Sequence, residues 1–259
     1  MAHIAAASFL KLVVAMRRSV RGQHAGRFDS SLEYGQPDTS RLGHGYGFTR
    51  FDRVVVINLE RRTDRLSNFT RDMSSLGVSN FTVVRGVDHP ACGLLGSALG
   101  HALAVQECAA GGGAAMCLIA EDDFALVQGP QAANAAVEQF FVKAWPGDTW
   151  HGKAWDVLLL GHNLLLWSDM HADHVVRVVK ALVSSAYVVT RPYAPILAAT
   201  FWGAAARLNS ECAVYHAVDA AWLPLQSRDA WYALRPPIAY QMPSFSDING
   251  RYTDYGVGA

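Results

Sequence analysis

The sequence predicts a single α/β domain built on a mostly parallel sheet, and three observations carry that expectation. From Arg53 onward, short aliphatic runs alternate with stretches of helical spacing, the pattern of successive βαβ units. The runs are continuously apolar, as suits strands covered by helices on both faces. Apolar residues make up 51% of the 259 positions, enough for one full-sized core, so one domain is expected in place of two small ones.

Taken in order, Val54 to Leu59 reads as the first strand. A helix follows with Leu66, Phe69, Met73 and Leu76 on one face and Gly77 just past its end as a cap. Phe81 to Val84 is the second strand. Ser97 is placed as the N-cap of a helix carrying Leu99, Ala102, Leu103 and Gln106, which ends at glycines 111 to 113. The apolar run Ala115 to Ala120 is then a third buried strand. Trp155 to Gly161 and Ser185 to Val189 read as further strands, Pro195 to Leu208 as a helix, and the last fifty residues, rich in proline and aromatics, as packed loops. Right-handed crossovers would put a ligand beyond the carboxyl ends of these strands.

Lysine plus arginine equal aspartate plus glutamate at 22 each, without the basic excess a nucleic-acid-binding domain needs. Residues 1–50 read as a targeting-like or unstructured segment followed by a Gly/Ser/Asp-rich linker, and residues 51–259 as the domain itself. The stretch Ile4 to Met16 is too short to span a membrane and contains Lys11, so no membrane span is expected; the compartment stays open between the secretory-pathway lumen and the cytoplasm. Gly43-x-Gly45-x-Gly47 follows no strand and is no dinucleotide fingerprint. Cys92, Cys108, Cys117 and Cys212 lack metal-site spacing and read as buried free thiols, with two disulfides as the alternative in a lumenal protein. Serine-hydrolase, P-loop and zincin motifs are absent.

The chemistry gathers at Glu121-Asp122-Asp123, which the third strand delivers to one point. Clustered carboxylates on a rigid strand end suit a hard divalent cation shared with a substrate's phosphates. If the pleat persists, Glu121 and Asp123 share a face and Asp122 points away. Asn58, Arg61, Arg62, Asp64 and Arg65 begin where the first strand ends, a position that favours phosphate, although arginines on a first helical turn also form local pairs. His101 lies on an otherwise apolar helix, where a satisfied core histidine competes with a functional one. Asp169, His171, Asp173 and His174 have metal-compatible side chains but no rigid element to fix them. Trp222, Trp231 and Tyr232 suit either core packing or stacking on a sugar.

Several motifs, in order, resemble glycosyltransferase family 25. They are Val56 to Arg65, Arg85-Gly86-Val87-Asp88, Gly96 to His101, Leu118 to Asp123, Trp155 to Gly161, Ala186 to Val189, Val218-Asp219 and Gln241 to Ile248, together spanning about residues 53 to 250. Ser97 and Gly100 depart from the family's usual cysteine and serine. The resemblance implies a GT-A type, Rossmann-like catalytic domain. It implies an inverting, metal-dependent transfer of galactose or glucose from a UDP-sugar to an acceptor hydroxyl on a glycan, glycolipid or protein. Under it, Asp123 with Glu121 holds manganese, while Asn58, Arg62, Arg65, Asp88, His101 and Glu121 surround the donor. Asp219 is the base, with Asp247 in reserve; their competing roles are a helix N-cap and an Asx-turn. The alternatives are a non-catalytic sugar- or protein-binding member of the same fold, and a metal-dependent phosphoryl-transfer enzyme on the same acids.

Overall fold

In a computed structural model, residues 45–110, 115–144, 155–169, 174–248 and 250–254 are described. The targeting-like segment, the glycines 111 to 113, and His171 and Asp173 lie outside these residues. The central sheet has six strands in the order β2-β1-β3-β6-β5-β7. These are β1 (Arg53–Asn58), β2 (Thr82–Arg85), β3 (Met116–Glu121), β5 (Val157–Asp169), β6 (Val175–Thr190) and β7 (Trp231–Leu234). All run in one direction except β6, which is antiparallel to β3 and β5. The fold is therefore the mixed α/β domain with a mostly parallel sheet that the alternation predicts.

Both faces are covered, which explains the unbroken apolar runs. Val55, Ile119, Leu159 and Tyr187 face α2 (Gly93–Ala110) and α4 (Ala194–Ser210), whereas Val54, Val56, Leu118, Leu158 and Val188 face α1 (Thr63–Ser75) and α3 (Pro130–Ala144). Gly77 ends the first helix with φ +85°, the left-handed cap expected of it. The second helix starts at Gly93, four residues before Ser97, so Ser97 is an interior residue and not a cap. The early start depends on close approach, because a Cβ at Gly96 would lie 2.2 Å from the Val87 carbonyl oxygen.

Several sequence expectations give way to long-range contacts. The linker expectation fails at its end: residues Gly47–Arg50 form a 3-10 turn, Phe48 is fully buried, its N–H donates to Asn134 Oδ1 at 2.8 Å, and Arg50 forks onto Glu138 at 2.6 and 2.7 Å. The third helix, alanine-rich, carries no signal strong enough to be read from sequence. Strand β6 extends well ahead of Ser185 because it forms a long hairpin with β5, and Trp231 with Tyr232 belongs to a sheet strand, not to a loop. The remaining short elements are β4 (Phe124–Leu126), α5 (Val218–Ala221), α6 (Leu223–Arg228), β8 (Ala239–Gln241), β9 (Ser244–Ser246) and β10 (Arg251–Thr253). The free-thiol expectation is corrected: Cys92 pairs with Cys212 and Cys108 with Cys117, leaving no free cysteine. The second bridge is local, joining the last turn of α2 to the first residues of β3. Among the described residues, no helix is long and apolar enough to cross a membrane.

Candidate active site

The order β2-β1-β3 puts β1 between its two successors, so the chain leaves β1 to one side and later returns to the other. The carboxyl ends of β1 and β3 flank that switch point, where an open α/β sheet leaves a crevice. An open cleft lies there, with about 690 Å³ of empty space once its mouth is counted.

The acid triplet forms one wall of the cleft. Regular pleating stops at Glu121, and Asp122 and Asp123 occupy the turn into β4. The expected opposition of Asp122 to its neighbours is therefore only partial. Arg65 Nη1 donates to Asp122 Oδ1 at 3.0 Å and to Asp123 Oδ2 at 3.1 Å, drawing the last two acids together. Its Nη2 donates to Ser244 Oγ at 2.6 Å and to the Phe245 carbonyl at 2.8 Å. Glu121 and Asp123 are joined from the other side by Gln241, whose Nε2 lies 3.5 Å from Glu121 Oε2 and 3.0 Å from Asp123 Oδ2. Asp123 Oδ1 is buried and has no partner.

These surroundings push the two carboxylates apart in acidity. Burial, then the charge of Glu121, raises Asp123 to about 7, against the pull of Arg65. Burial also opposes ionisation of Glu121, yet the bond from His101, the Ser184 hydroxyl and the Arg65 charge outweigh it and hold Glu121 below its ordinary value. His101 is fully buried, with Nε2 3.0 Å from Glu121 Oε1 and Nδ1 3.0 Å from the Tyr187 hydroxyl. A carboxylate only accepts, so Nε2 carries a proton, and in the neutral ring the Tyr187 hydroxyl donates to Nδ1. The histidine is thus satisfied, as a core residue should be, and its satisfaction orients an acid of the cleft.

The charged turn after β1 is engaged within the protein. Asn58 donates to Asp122 Oδ2 at 2.7 Å and to the Arg62 carbonyl at 3.0 Å, which fixes the turn beneath the triplet. Arg61 pairs with Asp88 and, at 2.8 Å, with Asp247 Oδ1. Arg62 pairs with Asp247 Oδ2 at 2.8 Å and with Asp64 at 3.0 Å. These are long-range pairs apart from Arg62–Asp64, in place of the i,i+3 and i,i+4 pairs that a first helical turn favours. Asp247 accepts on both oxygens, so it acts as an anchor for the segment that follows β9. Arg65, Asp88, His101, Glu121, Asp123 and Asp247 line the cleft, Asn58 and Arg62 stand one contact outside it, and Asp219 lies farther off, linked to it through Val183 and Ser184.

Asp219 sits in the first turn of α5, where Oδ2 accepts from the Val183 N–H at 3.1 Å. Burial raises its pKa, with the charge of Glu121 adding to the shift against several backbone donors. Val183 has φ +76°, a strained conformation for a β-branched residue. It opens a bulge in β6, since one residue of β5 between Gly161 and Asn163 faces three residues of β6 between Leu182 and Ala186. The next residue of that bulge, Ser184, donates to Glu121 Oε1 at 3.2 Å. One strained bulge therefore reaches both Asp219 and Glu121.

Gln241, Tyr187 and Ser184 are not readable from sequence as site residues. Their places depend on β8 pairing with β4 and β6 pairing with β3, contacts 63 to 120 residues apart that no local pattern encodes. Two candidate groups fall elsewhere. Trp222 and Trp231 are fully buried and pack edge to face with ring centroids 5.2 Å apart, so they are core residues and not a sugar platform; Tyr232 is buried beside Phe140. Asp169 pairs with Arg235, and no group of three histidine, cysteine, aspartate or glutamate side chains placed to hold a metal ion occurs among the described residues.

No family model matches the chain, so the resemblance to glycosyltransferase family 25 rests on its sequence motifs. No curated protein matches it. Among solved structures, it is similar to the mannose-1-phosphate geranyltransferase from Thermus thermophilus, with 10% identity over 76% of each chain and a TM-score of 0.37. At that identity and score, the similarity says nothing about substrate or activity.

Proposed function

We propose that the protein is a metal-dependent glycosyltransferase that moves a hexose, galactose or glucose, from a UDP-sugar to an acceptor hydroxyl with inversion. The observation that carries this reading is the excess of acid at the switch point. Carboxylates of Asp88, Glu121, Asp122, Asp123 and Asp247 outnumber the guanidiniums of Arg61, Arg65 and Arg62 by five to three in and beside the cleft. A bare diphosphate would be repelled there, whereas a cation would be attracted and would then attract the diphosphate. The residues fit such a cation. Asp123 has an unpartnered buried oxygen, and Glu121 is joined to it through a single amide. Cations of the magnesium and manganese type are held by one or two carboxylates, with phosphate oxygens and water completing the shell.

Bound there, the cation would supply neutralisation of the leaving diphosphate. The chain's own residues do the rest. Arg65 keeps Asp122 and Asp123 in place, and His101 keeps Glu121 ionised and oriented. Asp219, with its raised pKa, takes the proton of the acceptor hydroxyl as that oxygen bonds to the anomeric carbon and the bond to the diphosphate breaks. Calorimetric titration with UDP, with and without manganese, tests the reading on the wild type and on Asp123→Ala. Manganese-dependent UDP binding that disappears in the variant is expected. Absence of UDP binding at millimolar concentration with manganese present would remove the proposal.

A further inference from the structure

Gln241 occupies the gap between Glu121 and Asp123, the two carboxylates assigned to a cation, and its role rests on the glycosyltransferase reading. We propose that the Gln241 amide is a reversible third protein ligand. Without a cation it donates Nε2–H to Glu121 and Asp123, and with one it turns over and presents its carbonyl oxygen.

Three observations support this. The amide lies 3.0 Å from Asp123 Oδ2 and 3.5 Å from Glu121 Oε2, so an oxygen turned into the place of Nε2 would border the same point as both carboxylates. Asp123 Oδ1 remains buried and unpartnered, so the amide does not complete the site by itself. The backbone beneath the amide is fixed: Gln241 pairs with Phe124 in the β4–β8 ladder, and the Met242 N–H donates to the Asp123 carbonyl at 2.8 Å. Only the terminal side-chain torsion needs to change, and for an amide that torsion is soft. Glutamine is the residue type such a device requires. It carries two donors and an acceptor on one plane, and its oxygen is an ordinary ligand for a hard cation. A lysine would replace the cation permanently, and a leucine would leave two carboxylates facing each other.

Two variants test the inference, with manganese alone as the probe and the free ion followed by electron paramagnetic resonance. Gln241→Leu is expected to weaken manganese binding about tenfold or more, the loss usual when a metal site is stripped of a supporting group. Gln241→Glu is expected to tighten manganese binding and to lower the melting temperature of the cation-free protein. If the amide is only a spacer that a cation must displace, Gln241→Leu will bind manganese as well as the wild type or better, and that result overturns the proposal. Should Gln241→Leu fail to fold, the sign of the change in Gln241→Glu decides. Looser binding there refutes a ligand at this position. Wild-type protein that binds neither manganese nor UDP defeats the glycosyltransferase reading as well. Manganese-dependent UDP binding left intact in Gln241→Leu defeats only the role of Gln241.

Discussion

Replacing Arg65 by methionine should destabilise the protein strongly, and more so at alkaline pH. The guanidinium is about nine-tenths buried, and its four hydrogen bonds hold Asp122, Asp123, Ser244 and the Phe245 carbonyl. Methionine matches the length of the stem but leaves two buried carboxylates without their cation. Breaking one side of a buried ion pair costs about 3–5 kcal/mol, because the remaining charge keeps its desolvation penalty. Protonation offers Asp123 an escape, since its pKa is already raised to about 7 by burial and by Glu121. Burial raises Asp122 too. At pH 5.5 the variant can neutralise Asp123, so the loss should be the smaller one; at pH 8.5 it should approach the full value. Urea unfolding at the two pH values, with the slopes compared to confirm a common unfolded state, measures both. Manganese at pH 8.5 should restore part of the loss in the variant, as a cation takes over from the guanidinium. A loss below about 1 kcal/mol at pH 8.5, the range of an exposed pair, would refute the assignment of Arg65 as the counter-charge of the triplet. An equal loss at both pH values would show that Asp123 does not titrate between them.

Asp123→Asn should behave in the opposite sense. With the folded pKa above the unfolded one, the native state holds an extra proton in the interval between them, so the stability that proton gives is complete below about pH 4 and lost as pH rises through about 7. Thermal melts without cation should coincide at low pH, and at pH 8 the variant should melt higher; the same order at every pH would contradict the raised pKa. Asp219→Asn keeps an oxygen for the Val183 N–H, so its melting temperature should stay close to wild type while transfer from a UDP-sugar falls about 10²-fold or more and UDP affinity is unchanged. Near-normal turnover would return Asp219 to a purely structural place under the bulge. The Cys92–Cys212 bridge closes a separation of 120 residues, so the double serine variant should lose about 2–5 kcal/mol in chemical denaturation. Alkylation of the unreduced protein followed by mass measurement should label none of its four cysteines, and any label above background would contradict the pairing.

What is legible in the sequence depends on the range of each interaction. The strand that carries Glu121 announces itself because a strand buried on both faces must be apolar throughout, and the helix from Thr63 because its apolar residues recur at helical spacing. Those are local constraints, and they point to the sheet, its direction and the acids at its edge. What the acids do is decided by partners that the chain brings from far away: Arg65 from 57 residues upstream, Ser184 from 63 downstream and Gln241 from 120. The arginines show the difference most clearly. Sequence places them at a strand end where phosphate is favoured, but only the fold shows each one committed to a carboxylate, with Arg61 and Arg62 spanning Asp88, Asp64 and Asp247. That commitment changes the electrostatics of the cleft. With the guanidiniums engaged, the cleft offers a diphosphate little free positive charge, and under the proposed reading a cation drawn by the surplus carboxylates would supply it. Asp123 keeps a raised pKa in spite of Arg65, because burial and then the charge of Glu121 outweigh that pull, and its buried Oδ1 has no partner to favour the ionised form.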